Sequence, residues 1–118
     1  MCRQCTSARG ATAPTPDFNV SGAWTLVQGN GVSMTLKLAQ DSAGDISGTA
    51  VTLTNGLNGT IASGSKVDGT YIIFTIDWSD GKVGEYTGAL QYGATLYGNT
   101  LDLGNTSISA TWYTDQKF

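Results

Sequence analysis

The segment Thr70 to Gly88, TYIIFTIDWSDGKVGEYTG, restricts the fold more than any other part of the chain. Ile72, Phe74, Ile76 and Trp78 fall on one face, and Tyr71, Ile73, Thr75 and Asp77 on the other. Alternation with period two, carried by β-branched and aromatic residues, specifies a strand and not a helix. Ser79-Asp80-Gly81 supplies the reversal, because Asp and Gly tolerate the backbone angles of a tight turn. Tyr86, Gly88 and Leu90 resume the alternation on the return. The segment reads as an antiparallel hairpin with Ile72, Phe74 and Ile76 in the core.

The same pattern runs through the rest of the chain. Phe18 to Gln28 reads as a first strand with Trp24 and Leu26 on one face, turned by Gly29-Asn30-Gly31. Val32, Met34, Leu36 and Leu38 alternate against Ser33, Thr35, Lys37 and Ala39 in a second. Ile46 to Thr54 is a third, and the move of its apolar residues from even to odd positions after Ala50 predicts a bulge. Asn55-Gly56 signals the next reversal. Gly59 to Ser65 makes a short fourth strand, Asp68-Gly69 leads into the hairpin, Gln91 to Leu103 holds a seventh strand with a further turn at Gly98-Asn99, and Ser107 to Tyr113 closes the series. No ten-residue segment has a 3.6 period, so helix content near zero is expected.

About eight short strands joined by short connections describe an all-β, up-and-down antiparallel meander. An open sheet of that size leaves two raw edges, and closure into an eight-stranded barrel removes them. A β-sandwich is the second architecture compatible with the pattern. The expected organisation is a flexible N-terminal tail over residues 1–17, which carries Pro14 and Pro16, and a single barrel domain over 18–118.

Composition narrows the partners. A net charge of −3, with only 6 Lys and Arg scattered along 118 residues, provides no cluster to neutralise nucleic-acid phosphates. No run of about 18 apolar residues is present, so no membrane-spanning helix is expected. Cys2 and Cys5 form a C-x-x-C pair, but His is 0 and there is no second Cys pair to complete a four-ligand zinc site. Incidental thiols on a tail, a short-range disulfide, and a lipoprotein start at Cys5 are the readings left. No apolar stretch follows Met1; the Thr-, Ser- and Asn-rich, Lys-poor composition points to a secreted or cell-surface protein in mature or trimmed form, with an intracellular protein as the alternative.

Gly22-Ala23-Trp24-Thr25, Met34-Thr35-Leu36, Asp45-Ile46-Ser47-Gly48-Thr49, Phe74-Thr75-Ile76-Asp77-Trp78 and Tyr86-Thr87-Gly88 occur in the order in which similar segments occur in avidin and streptavidin. Over residues 20 to 90 the chain resembles this avidin-like and lipocalin-like (calycin-type) class of small barrels. The resemblance implies a barrel that holds a small molecule at its mouth and assembles as a homo-oligomer. It does not extend to biotin's polar partners. Thr25 to Gly31 has neither the Asn nor the Ser of the family in place, Ala50 stands where its strand-three Tyr is expected, and Leu101-Asp102-Leu103 replaces a Trp-Leu-Leu segment. High-affinity biotin binding is therefore not expected.

The absence of His removes Ser-His-Asp catalysis. Asp77, Asp80 and Glu85 gather at one hairpin end, where solvated turn residues are the simpler reading than a cation or a hydrolytic pair. No enzyme activity, catalytic residue, metal site or cofactor is expected. The expected ligand-binding residues are the aromatics Trp24, Trp78, Tyr86 and Trp112, which could line a barrel mouth and stack on a small apolar or sugar-like ligand. Small inward residues at Gly48, Ala50, Gly88 and Ala110 favour a cavity. Tyr71, Tyr97 and Tyr113 are expected to face outward. They underlie the alternative function, an extracellular subunit, inhibitor or adhesin that meets a protein partner through its outer wall while its interior is filled.

Overall fold

The computed structural model describes residues 15–118. Residues 1–14, with Cys2, Cys5 and most of the expected tail, lie outside the described residues. Nine strand segments follow one another: β1 (Gly22–Gln28), β2 (Ser33–Gln40), β3 (Ile46–Thr52), β4 (Asn58–Ile61), β5 (Lys66–Asp68), β6 (Tyr71–Trp78), β7 (Val83–Leu90), β8 (Leu96–Asp102) and β9 (Ser109–Tyr113). All neighbours pair antiparallel, β1 pairs with β9, and both β4 and β5 pair with β6. The two short segments are halves of one barrel strand, so the architecture is a closed, eight-stranded, up-and-down barrel. The described residues contain no helix, and no helix that is long and apolar enough to cross a membrane.

The interruption between β4 and β5 has a local cause. Gly64 adopts φ +90° and takes the backbone out of the ladder. Ser65, buried at this point, repairs the gap: its hydroxyl donates to the Ala62 carbonyl at 2.8 Å and accepts from the Thr75 N–H at 3.1 Å. Without that hydroxyl both backbone groups would lose a partner, at about 1–3 kcal/mol for each one left buried.

Three strand details differ from expectation. Phe18 and Val20 do not belong to the first strand; they fold across one end of the barrel, and the strand begins only at Gly22. The third strand has no bulge. Its ladder with β2 is continuous from Ile46 to Thr52, the even residues stay inside, and Leu53 is exposed. The even register persists because Thr52, although polar, is satisfied at the strand end by Asn55 and by the Leu57 N–H. The turn at Gly98-Asn99 is also absent, and β8 runs straight through both residues. Gly98 is there for space. A Cβ at this position would lie 1.9 Å from the Thr87 carbonyl oxygen.

Period-two alternation delivers one side of each strand to the interior. Leu26, Leu36, Ile72, Phe74, Ile76, Leu96 and Trp112 are buried there, and the core expected for the central hairpin is the core observed. At mid-barrel Phe74 stacks on Tyr86 with ring centroids 5.0 Å apart, and Trp112 meets Phe74 edge-on at 5.9 Å. The paired glycines Gly88 and Gly98 lie opposite Trp112, and a Cβ on Gly88 would be 2.6 Å from the indole. Gly88 accommodates a tryptophan and leaves no void.

One end of the barrel is sealed by the two ends of the domain. Asp17 and Thr15 exchange backbone hydrogen bonds with Gly69. The Gln40 amide holds the next stretch, accepting from the Val20 N–H and donating to the Phe18 carbonyl, both at 2.9 Å. Phe118 comes in from the other terminus, its N–H bonded to the Ala94 carbonyl and its ring edge-on to Trp24 at 5.0 Å.

Candidate functional site

The opposite end is open. The connections 29–32, 53–57, 79–82 and 103–108 surround it, and beneath them lies a cavity of about 330 Å³. The cavity exists because several of the inward residues around it are small or polar. Thr52, Gly84, Thr100 and Ala110 line it.

Trp78 forms one wall. It is the last residue of β6, half-buried, and two glycines set its position. A Cβ on Gly59 would come within 2.8 Å of the indole's six-membered ring, and one on Gly84 would sit 3.6 Å from Nε1. The missing side chains on both sides let the indole lie along the wall and leave the lumen open. Met34, Leu57 and Ile108 supply apolar surface elsewhere around the cavity.

Tyr86 is the floor. Its ring completes the mid-barrel aromatic cluster from above, and its hydroxyl donates to Gln28 Oε1 at 2.7 Å, a buried bond between residues 58 apart in sequence. Gln28 Nε2 in turn donates to Asn30 Oδ1 at 3.2 Å, and Thr100 lines the same floor beside the phenol. Tyr86, Gln28 and Asn30 thus form a hydrogen-bonded chain across the floor to the β1–β2 turn. Such a chain polarises along its length, and its spare donors and acceptors face the cavity. The charged side chains around the cavity, Asp80, Lys82 and Asp102, belong to the rim.

Burial pushes the Tyr86 phenol up from 10.0 to about 12, and the Thr100 hydroxyl opposes part of that rise. The neutral phenol is the form the fold prefers. Its contribution to stability is complete below pH 10 and is lost as pH rises from 10 towards 12, where the unfolded chain ionises and the folded one does not. A shift of two units corresponds to about 3 kcal/mol. Urea titrations across this range should show stability falling with pH, with the slope reduced in Tyr86→Phe; an unchanged slope would place the alkaline transition elsewhere.

Of the four aromatic residues expected at the site, the structure brings Trp78 and Tyr86 together in the cavity. Trp24 lies at the sealed end, its Nε1 donating to the Val20 carbonyl at 2.9 Å, and Trp112 is fully buried below Tyr86 with its Nε1 on the Asn99 carbonyl at 3.0 Å. Ala110 lines the cavity, whereas Ala50 is packed in the core. Residue type alone does not mark the polar residues Gln28, Thr52 and Thr100. Their signal was positional: each is a polar residue in the inward register of its strand.

Asp80, at the acidic hairpin end, accepts from the Lys82 N–H at 3.0 Å in an ordinary turn. No group of three or more His, Cys, Asp or Glu side chains suited to a metal occurs among the described residues. Neither family models, nor curated proteins, nor solved structures yield a match to this chain.

Proposed function

We propose that this is a non-enzymatic binding protein that holds one small, neutral, ring-containing ligand in the open end of its barrel. One observation carries the reading. The barrel is filled at its middle and sealed at one end, yet the other end keeps a cavity of about 330 Å³ over a floor of buried hydrogen-bonding groups. A volume near the lower bound of small-molecule sites suits a compact ligand. Trp78 offers it an aromatic face, and the floor matches a neutral polar edge, since Gln28, Tyr86 and Thr100 are all polar without carrying charge.

The avidin-like and lipocalin-like character belongs to the same proposal. Its support is the order of the motifs from Gly22 to Gly88, now distributed over the strands of a closed barrel. The polar groups missing from the family's biotin set have a counterpart nearer the mouth. Leu26 and Ala50 are apolar core, while Gln28 and Thr52 follow two residues later on the same inward faces. A ligand other than biotin, seated nearer the mouth, follows from that displacement. Secretion or display at a cell surface completes the reading, on the strength of the Thr-, Ser- and Asn-rich composition.

Native mass spectrometry of the protein purified from its source provides the test. A small-molecule adduct is expected on the folded protein and none after denaturation. Ala110→Phe, which fills the cavity, should abolish the adduct, and Trp78→Ala should weaken binding about tenfold by removing one aromatic contact. An adduct that survives Ala110→Phe would remove the cavity from the proposal.

A further inference from the structure

We propose that the outer wall of the barrel carries a second site, a slot between Tyr71 and Tyr97 that takes a neutral saccharide ring. The strand register places Tyr71, Ala89, Tyr97 and Tyr113 side by side on one outward rung of β6, β7, β8 and β9. Tyr71 and Tyr97 are exposed, at 67% and 49%, and Ala89 between them is the smallest side chain a strand offers short of glycine. A groove of about 490 Å³ follows this notch.

Two features of the wall shape the groove. Tyr71 and Tyr97 lie two strand spacings apart, about 10 Å. A ring in contact on both faces requires about 7–8 Å between its neighbours. The notch over Ala89 therefore admits one ring. Beneath it the wall itself is thin, because Gly88 and Gly98 pair there and their backbones line the groove from below. Neither tyrosine belongs to an aromatic pair among the described residues, and both are exposed.

The lining chemistry selects the occupant. The adjacent rung presents Thr87 and Asn99, a hydroxyl and an amide that can bond sugar hydroxyls while the tyrosines contact the C–H faces. The charged residues of the groove, Lys66 and Asp68, have opposite signs and cancel. A groove without net charge on a chain of net charge −3 matches an uncharged polyhydroxy ligand and repels polyanions. This site is independent of the mouth cavity, which opens at the end of the barrel.

The test is a two-dimensional amide NMR titration of the intact chain with cellohexaose, maltohexaose and chitohexaose in N-acetylated form. At least one of these should shift the amides of Ala89, Tyr97 and Asn99. Tyr97→Ala, and Ala89→Leu, which fills the notch, should each weaken that binding about tenfold or more. Tyr92→Ala, which removes a fully exposed tyrosine outside the groove, should not change it. No shift with any of the sugars overturns the proposal, as does a shift confined to the mouth residues Trp78 and Thr100. Slot shifts on protein dilution without sugar, accompanied by a dimer in sedimentation, also overturn it by making a second copy the occupant.

Discussion

Trp112→Ala should lower stability by about 4 kcal/mol, the range for removing a large aromatic side chain from a closed core. Trp112 is fully buried, meets Phe74 and Tyr86 edge-on, and is packed against Gly88. The glycine side of that packing cannot close up after truncation, because the strands around it are fixed by ladders on both sides. The Asn99 carbonyl would also lose its bond from the indole. At roughly 4 °C per kcal/mol, the melting temperature should drop by about 15 °C. Differential scanning calorimetry of the variant measures this directly. A fall of only a few degrees would mean that the barrel repacks around the void and that the aromatic cluster is less rigid than its geometry implies.

Gly98→Ala should be nearly as damaging although it adds a single methyl group. The new Cβ would lie 1.9 Å from the Thr87 oxygen, 2.6 Å from the Gly88 Cα and 2.8 Å from the Thr87 carbonyl carbon. All three are backbone atoms of the paired strand, so no rotamer change can relieve the contact. The β7–β8 ladder must spread, and Trp112 beneath it must follow. Overpacking with side chains alone costs about 1–3 kcal/mol; with backbone as the obstacle, a loss above about 3 kcal/mol is expected. Urea unfolding of the variant is the check. A loss below about 1 kcal/mol would show that this part of the wall is compliant.

These two variants also mark the boundary of what sequence alone can reveal. Trp112 and Gly98 are both conspicuous in the sequence, yet their relation is not, because nothing local states that an indole on β9 will lie against a pair of glycines on β7 and β8. Read by itself, Gly98-Asn99 looks like a turn; read in the barrel, the glycine is the space the neighbouring backbone requires. Trp24 and Trp112 were reasonable candidates for a binding site by residue type. The structure puts them among packed side chains because the level of a residue along the barrel axis, and not its identity, decides whether it meets solvent or core.

Most of the strands, the core of the central hairpin, the outward tyrosines and the preference for a closed barrel over an open sheet are written in the amino-acid sequence. They rest on period-two alternation, on turn chemistry, and on the cost of exposed sheet edges, and these act between neighbours in sequence or on any sheet of this length. The cavity was decided only by the tertiary structure. Gln28 and Tyr86 are 58 residues apart and meet only when the barrel closes. The sealed end likewise depends on Phe18 and Phe118 arriving from opposite ends of the described chain. Which inward residues fill the barrel and which leave it open depends on contacts across the lumen, and a one-dimensional pattern does not contain those distances.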